Sequence, residues 1–255
     1  MKLFEHYIKK YTSKIKPIVF ESVDSTNSVA RDLAKSGAKE GTAVIAFKQT
    51  AGRGRLGRQF FSPDGGVYIS LILRPDILPQ DTLFITVAAA VAAVRGIEKI
   101  SDQKCLIKWV NDIYIDNKKV CGILTEGEFS NENRLDFAVL GVGINLFEPK
   151  GGYPKDLPLA TSVLKTAFNK SKLKAKLIAE FANAFFDFYS KLQNKEYINE
   201  YRKRSFLTGK NITYQKNGEM HNATVLGIDD NARLVVKNAD EVETLSTGEV
   251  QIYKF

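Results

Sequence analysis

The spacing of apolar residues predicts alternating strands and helices along the first 205 residues. Short runs of β-branched and aromatic residues alternate with longer segments whose apolar positions recur every three or four residues. The predicted strands are 18–20, 42–47, 67–73, 106–109, 113–115, 120–126 and 135–144. The predicted helices are one that begins near Thr26 and three that cover 83–99, 173–192 and 197–204. This pattern is typical of an α+β domain.

The pattern changes after residue 205. Short β-prone runs then follow one another, separated by turn residues such as Asn217 and Gly218. These runs are 212–214, 223–228, 234–236, 242–245 and 250–253. Closely spaced short strands predict a small all-β barrel. We therefore predict two domains, a larger one over residues 1–205 and a β domain over residues 206–255.

Composition excludes several classes of protein. The chain has 255 residues, of which 44% are hydrophobic and 26% are charged, as in ordinary globular proteins. Its two cysteines, Cys105 and Cys121, form no Cys-x-x-Cys pair, and the chain has only two histidines. A structural zinc site is usually built from about four such ligands, so we predict none here. Each cysteine lies among apolar residues, so we expect both to be buried.

The N-terminal residues carry charges and lack the apolar stretch of a signal peptide. The longest apolar run, 83–94, is too short for a bilayer, which requires about 20 residues. We therefore predict a soluble, cytoplasmic protein that does not contact a membrane.

The formal net charge of +8 is compatible with an anionic partner, although it is also compatible with a lysine-rich solvated surface. The densest positive cluster is the segment from Gly52 to Arg58, which holds three glycines and three arginines. Glycine lets backbone N–H groups approach a ligand, and arginine binds phosphate or carboxylate oxygens in pairs. The segment lacks the Gly-Lys-Ser/Thr ending of a P-loop. Alone, it indicates either an anion-binding loop or a plain surface loop.

Three further segments carry polar side chains next to predicted strands. In the segment 108–112, Lys108 is suited to phosphate, and Asn111 and Asp112 are suited to Mg²⁺ or a ribose, although an ordinary turn has the same chemistry. In the segment 119–124, a lysine precedes a strand that contains Gly122, which indicates either close approach of a ligand or a bulge. The segment 24–27 is either a helix N-cap or a set of groups that recognises a small polar ring.

Together with residues 141–145, Gly-Val-Gly-Ile-Asn, these segments occur in an order that resembles the biotin protein ligases. The resemblance covers about residues 18–205, and the C-terminal part resembles the SH3-like domain of that family. It implies a class II synthetase-like catalytic domain, with a mixed sheet and flanking helices. It also implies an enzyme that uses ATP and Mg²⁺ to convert biotin into biotinyl-5'-AMP. The biotin then passes to a lysine of a biotin carboxyl carrier domain of a carboxylase.

The resemblance also implies roles for individual residues. The residues that would bind biotin are Ser25, Thr26, Asn27, Gln49, Arg53, Gly54, Arg55, Lys119 and Gly122. Those that would bind ATP are Arg53, Arg55, Arg58, Phe60, Lys108, Asn111, Asp112 and Asn145, and Asp112 would lie near Mg²⁺. Lys119, Arg55 and Lys108 would be catalytic, because fixed cations offset the repulsion between a carboxylate and an α-phosphate.

Three positions depart from the family pattern. Val110 stands where proline is usual, Phe60 where tryptophan is common, and Leu56 where arginine is frequent. The first change is expected to loosen its turn, the second keeps a ring but loses an indole N–H, and the third removes one charge. None of the three has a catalytic role in this interpretation.

Three alternative interpretations stay open at this point. A lipoate or octanoate ligase would share the fold, and an inactive homologue would share the motifs. A basic RNA-binding module would use the arginine loop together with exposed aromatic residues of the β domain, chiefly Tyr214, Tyr253 and Phe255. Residues 1–16 are too few for the winged helix-turn-helix of bifunctional ligases, so we predict no sequence-specific DNA binding. Either a monomer or a homodimer is compatible with the sequence.

Overall fold

The computed structural model describes residues 1–129, 134–157, 159–239, 241–246 and 250–254. Its centre is a seven-stranded mixed sheet. The strands are β1 (Lys16–Val23), β2 (Thr42–Gln49), β3 (Val67–Leu73), β4 (Leu106–Lys108), β5 (Asp112–Ile115), β6 (Lys118–Phe129) and β7 (Leu135–Ile144). Their order in the sheet is β1-β2-β3-β7-β6-β5-β4. Strands β1 and β2 are parallel, and each of the other neighbouring pairs is antiparallel.

Five α-helices accompany this sheet among the described residues. They are α1 (Lys2–Tyr11), α2 (Thr26–Lys35), α3 (Thr82–Ile100), α4 (Lys170–Tyr189) and α5 (Glu196–Lys203). Helix α3 is apolar nearly all round and is largely buried, packing against α4, α5 and β6. This agrees with the rule that a helix without a polar face belongs in a core. Within the described ranges, none of these helices combines the length and apolar character needed to cross a membrane.

The C-terminal part forms a separate antiparallel sheet of five strands. These are β8 (Asn211–Lys216), β9 (Glu219–Ile228), β10 (Leu234–Asn238), β11 (Glu241–Leu245) and β12 (Val250–Lys254), in the order β11-β10-β9-β8-β12. Asn217 and Gly218, both with positive φ, make the predicted turn between β8 and β9. The prediction of an α+β fold with a small SH3-like β module is confirmed.

Two local details differ from the sequence interpretation. Helix α1 was not predicted, yet Phe4 and Ile8, four residues apart, are buried in the core, and the helix packs on α4. The proposed side-chain cap of α2 is wrong, because Ser25 occupies the N-cap position without a side-chain hydrogen bond to the helix. The backbone N–H of Thr26 donates instead to Gln49 of β2, at 2.7 Å.

Candidate functional site

A cavity of about 160 Å³ brings the predicted site residues together. It lies where the N-terminus of α2, the 52–58 segment and the strands β6 and β7 meet. The predicted residues that line it are Ser25, Thr26, Asn27, Gln49, Arg53, Gly54, Arg55, Arg58, Phe60, Lys108, Asn111, Asp112, Lys119 and Gly122. Asn145 is the predicted residue outside this lining. It is buried, and its backbone bonds to Val120 and Val163.

Gln49 joins the start of α2 to Ser62, which follows the arginine loop. Its Oε1 accepts hydrogen bonds from the backbone N and the Oγ1 of Thr26, at 2.7 and 2.9 Å. Its Nε2 donates to Ser62 Oγ at 2.8 Å. Both ends of the Gln49 amide are therefore held by the protein. Ser25 also lines the cavity, and its hydroxyl has no hydrogen-bond partner in the part of the chain that the structure describes, so it can bind a ligand.

Asn27 forms part of the cavity wall. Its Nδ2 donates to Glu126 Oε2 at 2.8 Å, and its Oδ1 lies 2.6 Å from Ser70 Oγ. The amide packs directly over Gly141, where any Cβ would overlap Asn27 Oδ1. Glycine at 141 is thus required by the close approach of this side chain rather than by a turn.

The arginine loop is a folded turn held by its own backbone. Gly54 N donates to Arg58 O at 2.7 Å, and Phe60 N donates to Gly52 O at 2.8 Å. Leu56 has a φ of 55°, an uncommon value for a residue with a branched side chain, and is exposed at the tip of this turn. The loop therefore presents a defined set of charged side chains.

Two of these arginines already have partners in the fold. Arg53 donates to Glu126 Oε1 at 2.7 Å. Arg55 lies 3.4 Å from Asn111 Oδ1, and burial lowers the pKa of its guanidinium although Asp112 opposes this effect. Because the ordinary pKa of arginine is so high, Arg55 remains charged at neutral pH.

Phe60 lies on a floor made of two glycines. A Cβ on Gly143 would come within 2.5 Å of the ring, and one on Gly122 within 2.9 Å. The ring meets Tyr68 edge to face, with centroids 6.5 Å apart, and Lys119 Nζ lies 5.7 Å from its centroid. The aromatic role expected at position 60 is therefore compatible with phenylalanine.

The opposite end of the cavity holds a compact group of charges. Lys119 Nζ lies 2.6 Å from Asp112 Oδ1. Burial lowers the pKa of Lys108 to about 8, while the nearby Asp112 carboxylate raises it. At pH 7 the Lys108 ammonium is thus still mostly protonated, but it is poorly solvated. Such a group interacts strongly with an incoming anion.

Lys119 is positioned by the segment 159–164, for which the sequence predicted neither a strand nor a helix. Its backbone N donates to Leu159 O at 2.6 Å, and its carbonyl accepts from Thr161 N at 3.0 Å. The same segment then pairs with the residues that follow β7, since Val163 N donates to Asn145 O at 2.8 Å. No local pattern in 159–164 indicates this contact.

Asp112 and Asn111 could hold Mg²⁺ together with substrate phosphates, although they do not form a complete metal site by themselves. Across the described ranges, no group of three or more His, Cys, Asp or Glu residues could hold a metal ion. Asp112 and Asn111 nevertheless place a carboxylate and an amide at the cavity wall. Mg²⁺ commonly uses one or two carboxylates together with substrate phosphates, which is the arrangement these residues fit.

The structure also bears on the expectations for other residues. Cys105 and Cys121 are buried free thiols, and burial raises the pKa of Cys105 to about 12. Tyr214 is fully buried, so it offers no ring face for stacking with a nucleic-acid base. Phe255 and the side chain of Tyr253, the other aromatics considered for that role, lie outside the described residues.

Sequence reasoning missed several residues of the site. Glu126 bonds to both Asn27 and Arg53, Ser70 supports Asn27, and Tyr68 lines the cavity beside Phe60. Their signal is weak, since Tyr68 and Ser70 stand in the apolar strand β3 and Glu126 is one of several polar residues of β6, and none of them belongs to a motif. The alternation of Gly141 and Gly143 on one face of β7 was the available clue to a close approach.

Comparison with known proteins gives consistent matches. Residues 19–145 match the family described as "Biotin/lipoate A/B protein ligase family". The "Bifunctional ligase/repressor BirA" of Bacillus subtilis is 46% identical over 155 residues, which are 60% of this chain and 47% of that protein. The chain therefore spans about half the length of this relative.

A second relative matches over nearly the whole chain. The "Biotin--[acetyl-CoA-carboxylase] ligase" of Mycobacterium tuberculosis is 28% identical over 243 residues, 91% of this chain and 87% of that protein. Among solved structures, the biotin protein ligase from Aquifex aeolicus in complex with biotin and ATP superposes with a TM-score of 0.76. The sequence identity is 23%, and the match covers 94% of this chain and 99% of the other. At this identity the superposition shows a shared fold.

Proposed function

We propose, because this chain belongs to the biotin/lipoate A/B protein ligase family, that it is an ATP-dependent biotin protein ligase. In the first step a biotin carboxylate oxygen attacks the α-phosphorus of ATP, giving biotinyl-5'-AMP and pyrophosphate. In the second step the neutral amine of an acceptor lysine attacks the acyl carbonyl, and AMP leaves. The observation that carries this proposal is the single cavity in which Ser25, at one end, and Lys119 and Lys108, at the other, face the same space.

The cations suit the first step. Two anions must approach each other, and positive charges fixed beforehand stabilise the charge that develops on the phosphate. Lys119, Lys108 and Arg55 would supply these charges, and each is partly removed from water. Asp112, with Asn111, would hold Mg²⁺ against the phosphates, and the bound ion would neutralise part of their charge.

The opposite end suits the ring of biotin. Ser25 has a hydroxyl available to the ureido group, while Thr26, Asn27 and Gln49 form a wall whose hydrogen bonds are already made. A pre-organised wall lowers the entropy lost when a ligand binds. The Gly52–Arg58 loop lines the same cavity and would keep water from the mixed anhydride.

The proposed acceptor is the biotin carboxyl carrier domain of a carboxylase. Relatives named biotin–[acetyl-CoA-carboxylase] ligase support this choice. A net charge of +8 would speed association with an acidic partner. The buried free thiols of Cys105 and Cys121 support a reducing compartment such as the cytoplasm.

We also infer that the catalytic domain covers residues 1–205 and the SH3-like domain residues 206–255. The change from the seven-stranded sheet to the five-stranded sheet supports this division. The boundary region is nevertheless tied to the first sheet, since Phe206 N donates to Ile107 O at 2.8 Å.

The test is ATP–pyrophosphate exchange driven by biotin. The wild type is compared with Lys119→Ala and Arg55→Ala, and Lys118→Ala serves as the matched control because that neighbouring side chain is exposed. We expect each site variant to lose exchange by about 100-fold or more, and the control to retain it. Exchange with lipoate and none with biotin would identify a lipoate ligase. No exchange with either acid, using folded protein and Mg²⁺, would reject both activities.

A further inference from the structure

Glu126 of β6 connects the arginine loop with helix α2. Its Oε1 accepts hydrogen bonds from Arg53 of the arginine loop, at 2.7 Å, and from Arg31 of α2, at 2.8 Å. Its Oε2 accepts from Asn27 Nδ2 at 2.8 Å. The side chain is only 16% exposed, whereas Arg53 is 41% exposed. A carboxylate with two guanidinium partners and an amide partner forms charge-assisted bonds, which are stronger than neutral ones.

The carboxylate also determines how the Asn27 amide points. An ionised carboxylate can only accept hydrogen bonds, so the NH₂ group of Asn27 faces Glu126 and its oxygen faces Ser70. Since Asn27 packs tightly over Gly141, the amide cannot shift without disturbing the cavity wall. The position of the loop and the shape of this wall therefore depend on one side chain.

We propose that Glu126 is a positioning residue. Through Arg53 it ties the Gly52–Arg58 loop to the cavity wall that Asn27 forms. Arg53 then anchors the loop, and its guanidinium is not a ligand of the phosphates. The consequence for biotin affinity rests on the proposed function. The expected effect on how readily the loop opens does not rest on the proposed function, because it concerns the protein without substrates.

The substitution Glu126→Gln tests this with little change in size. The matched control is Glu128→Gln, on the same strand two residues further, where Glu128 Oε1 pairs with Lys35 at 3.1 Å. Residues two apart on a strand share one face, so the two variants differ mainly in their partners. A second variant, Arg53→Ala, removes the loop's side of the contact and leaves Glu126 with Asn27 and Arg31.

The first readout is limited trypsin cleavage of the free protein, with fragments identified by mass. The loop carries arginines at 53, 55 and 58, so trypsin reports on its opening. We expect cleavage after Arg55 and Arg58 to become about tenfold faster in Glu126→Gln and Arg53→Ala, the change that corresponds to losing one charge-assisted bond. The Glu128→Gln protein should be cut at the wild-type rate. Equal rates in Glu126→Gln and the control would overturn the proposal.

The second readout is the pair of KM values in biotin-driven exchange. Glu126→Gln and Arg53→Ala should each raise the KM for biotin about tenfold, with little effect on the KM for ATP, and the double variant should be no worse than either. If Arg53→Ala raised the KM for ATP while Glu126→Gln left it unchanged, Arg53 would be a phosphate ligand and the proposal would fail. A wild type without exchange would remove the proposed function, while the trypsin result would still decide the role of Glu126.

Discussion

The ammonium nitrogen of Lys119 lies 2.6 Å from a carboxylate oxygen of Asp112, across the pairing of β5 with β6. In the proposed first step, the substrate's anionic groups would take over part of this contact, and Asp112 would then be available to Mg²⁺. The same pair thus holds Lys119 in place and, in the proposed function, would keep a carboxylate near the phosphates.

We therefore predict that Asp112→Asn slows biotin-driven pyrophosphate exchange by about 10- to 100-fold, the usual range when a group that supports a metal site is removed. The concentration of Mg²⁺ needed for half-maximal exchange should also rise. Titration of Mg²⁺ with the wild type and the variant measures this. An unchanged Mg²⁺ dependence would mean that Asp112 orients Lys119 and does not hold the ion.

The pKa of Lys108, about 8, predicts a pH dependence. The ammonium form dominates below pH 8 and is lost as the pH rises through that value, so kcat/KM for ATP should fall above pH 8. Lys108→Arg provides the control, since arginine stays protonated over this range. A fall of the same size and midpoint in the arginine variant would assign the titration to another group.

The same shift predicts an effect on stability. The folded-state pKa lies below the ordinary value of 10.5, so burial of the charged amine costs stability at pH below 8, and this cost disappears as the pH rises towards 10.5. We expect Lys108→Met to raise Tm at pH 7 by about 2–4 °C for each kcal/mol regained. Thermal unfolding at pH 7 and at pH 10 measures this. The gain at pH 10 should be the smaller of the two.

The sequence predicted the elements of the fold where their patterns are local. The strand 67–73 was identified to the residue because it is an apolar run, interrupted only by Ser70, between turn residues. Helix α1 was missed because only Phe4 and Ile8 mark its buried side, and their partner α4 lies more than 160 residues away. Its contribution to the core cannot be recognised from ten residues alone.

The residues of the candidate site that were missed also depend on contacts between distant parts of the chain. Its lysines and arginines stand in short motifs, each of which left an ordinary loop or turn open, and the order of the motifs along the chain indicated the site. Glu126 and the 159–164 segment contribute through contacts with residues far along the chain, and no spacing records such contacts. The alternative in which a side chain of 24–27 caps α2 failed for a related reason, since the backbone N–H of Thr26 donates to Gln49 of β2.

Phe60 packs so closely on Gly143 that a methyl group at position 143 should clash with its ring, and a smaller side chain at position 60 should relieve the clash. Gly143→Ala should destabilise the protein by about 1–3 kcal/mol, the usual cost of overpacking, because its new methyl would meet the ring at 2.5 Å. Adding Phe60→Leu should recover part of this loss, since the smaller side chain can move away. Urea unfolding of both single variants and the double variant measures the coupling. Strictly additive losses would show that the ring is not what the methyl meets.

A last prediction concerns how the C-terminal module supports the site. Trp109 Nε1 donates to the backbone oxygen of Ala232, in the loop between β9 and β10, at 2.9 Å, and both groups are buried. On the other side of the same turn, Tyr201 Oη donates to Val110 O at 3.0 Å. The turn that carries Asn111 and Asp112 is therefore held from two directions.

Trp109→Phe keeps an aromatic ring and leaves the Ala232 oxygen without its donor. We expect a loss of about 1–3 kcal/mol in the free energy of unfolding, the cost of an unsatisfied buried group. The KM for ATP should rise about tenfold, because Asn111 and Asp112 are less well placed, while the KM for biotin stays close to that of the wild type. Tyr201→Phe removes the contact to Val110. Like Trp109→Phe, it should raise the KM for ATP and leave the KM for biotin close to that of the wild type. If Trp109→Phe altered stability alone, the C-terminal module would stabilise the fold without positioning the nucleotide side of the cavity.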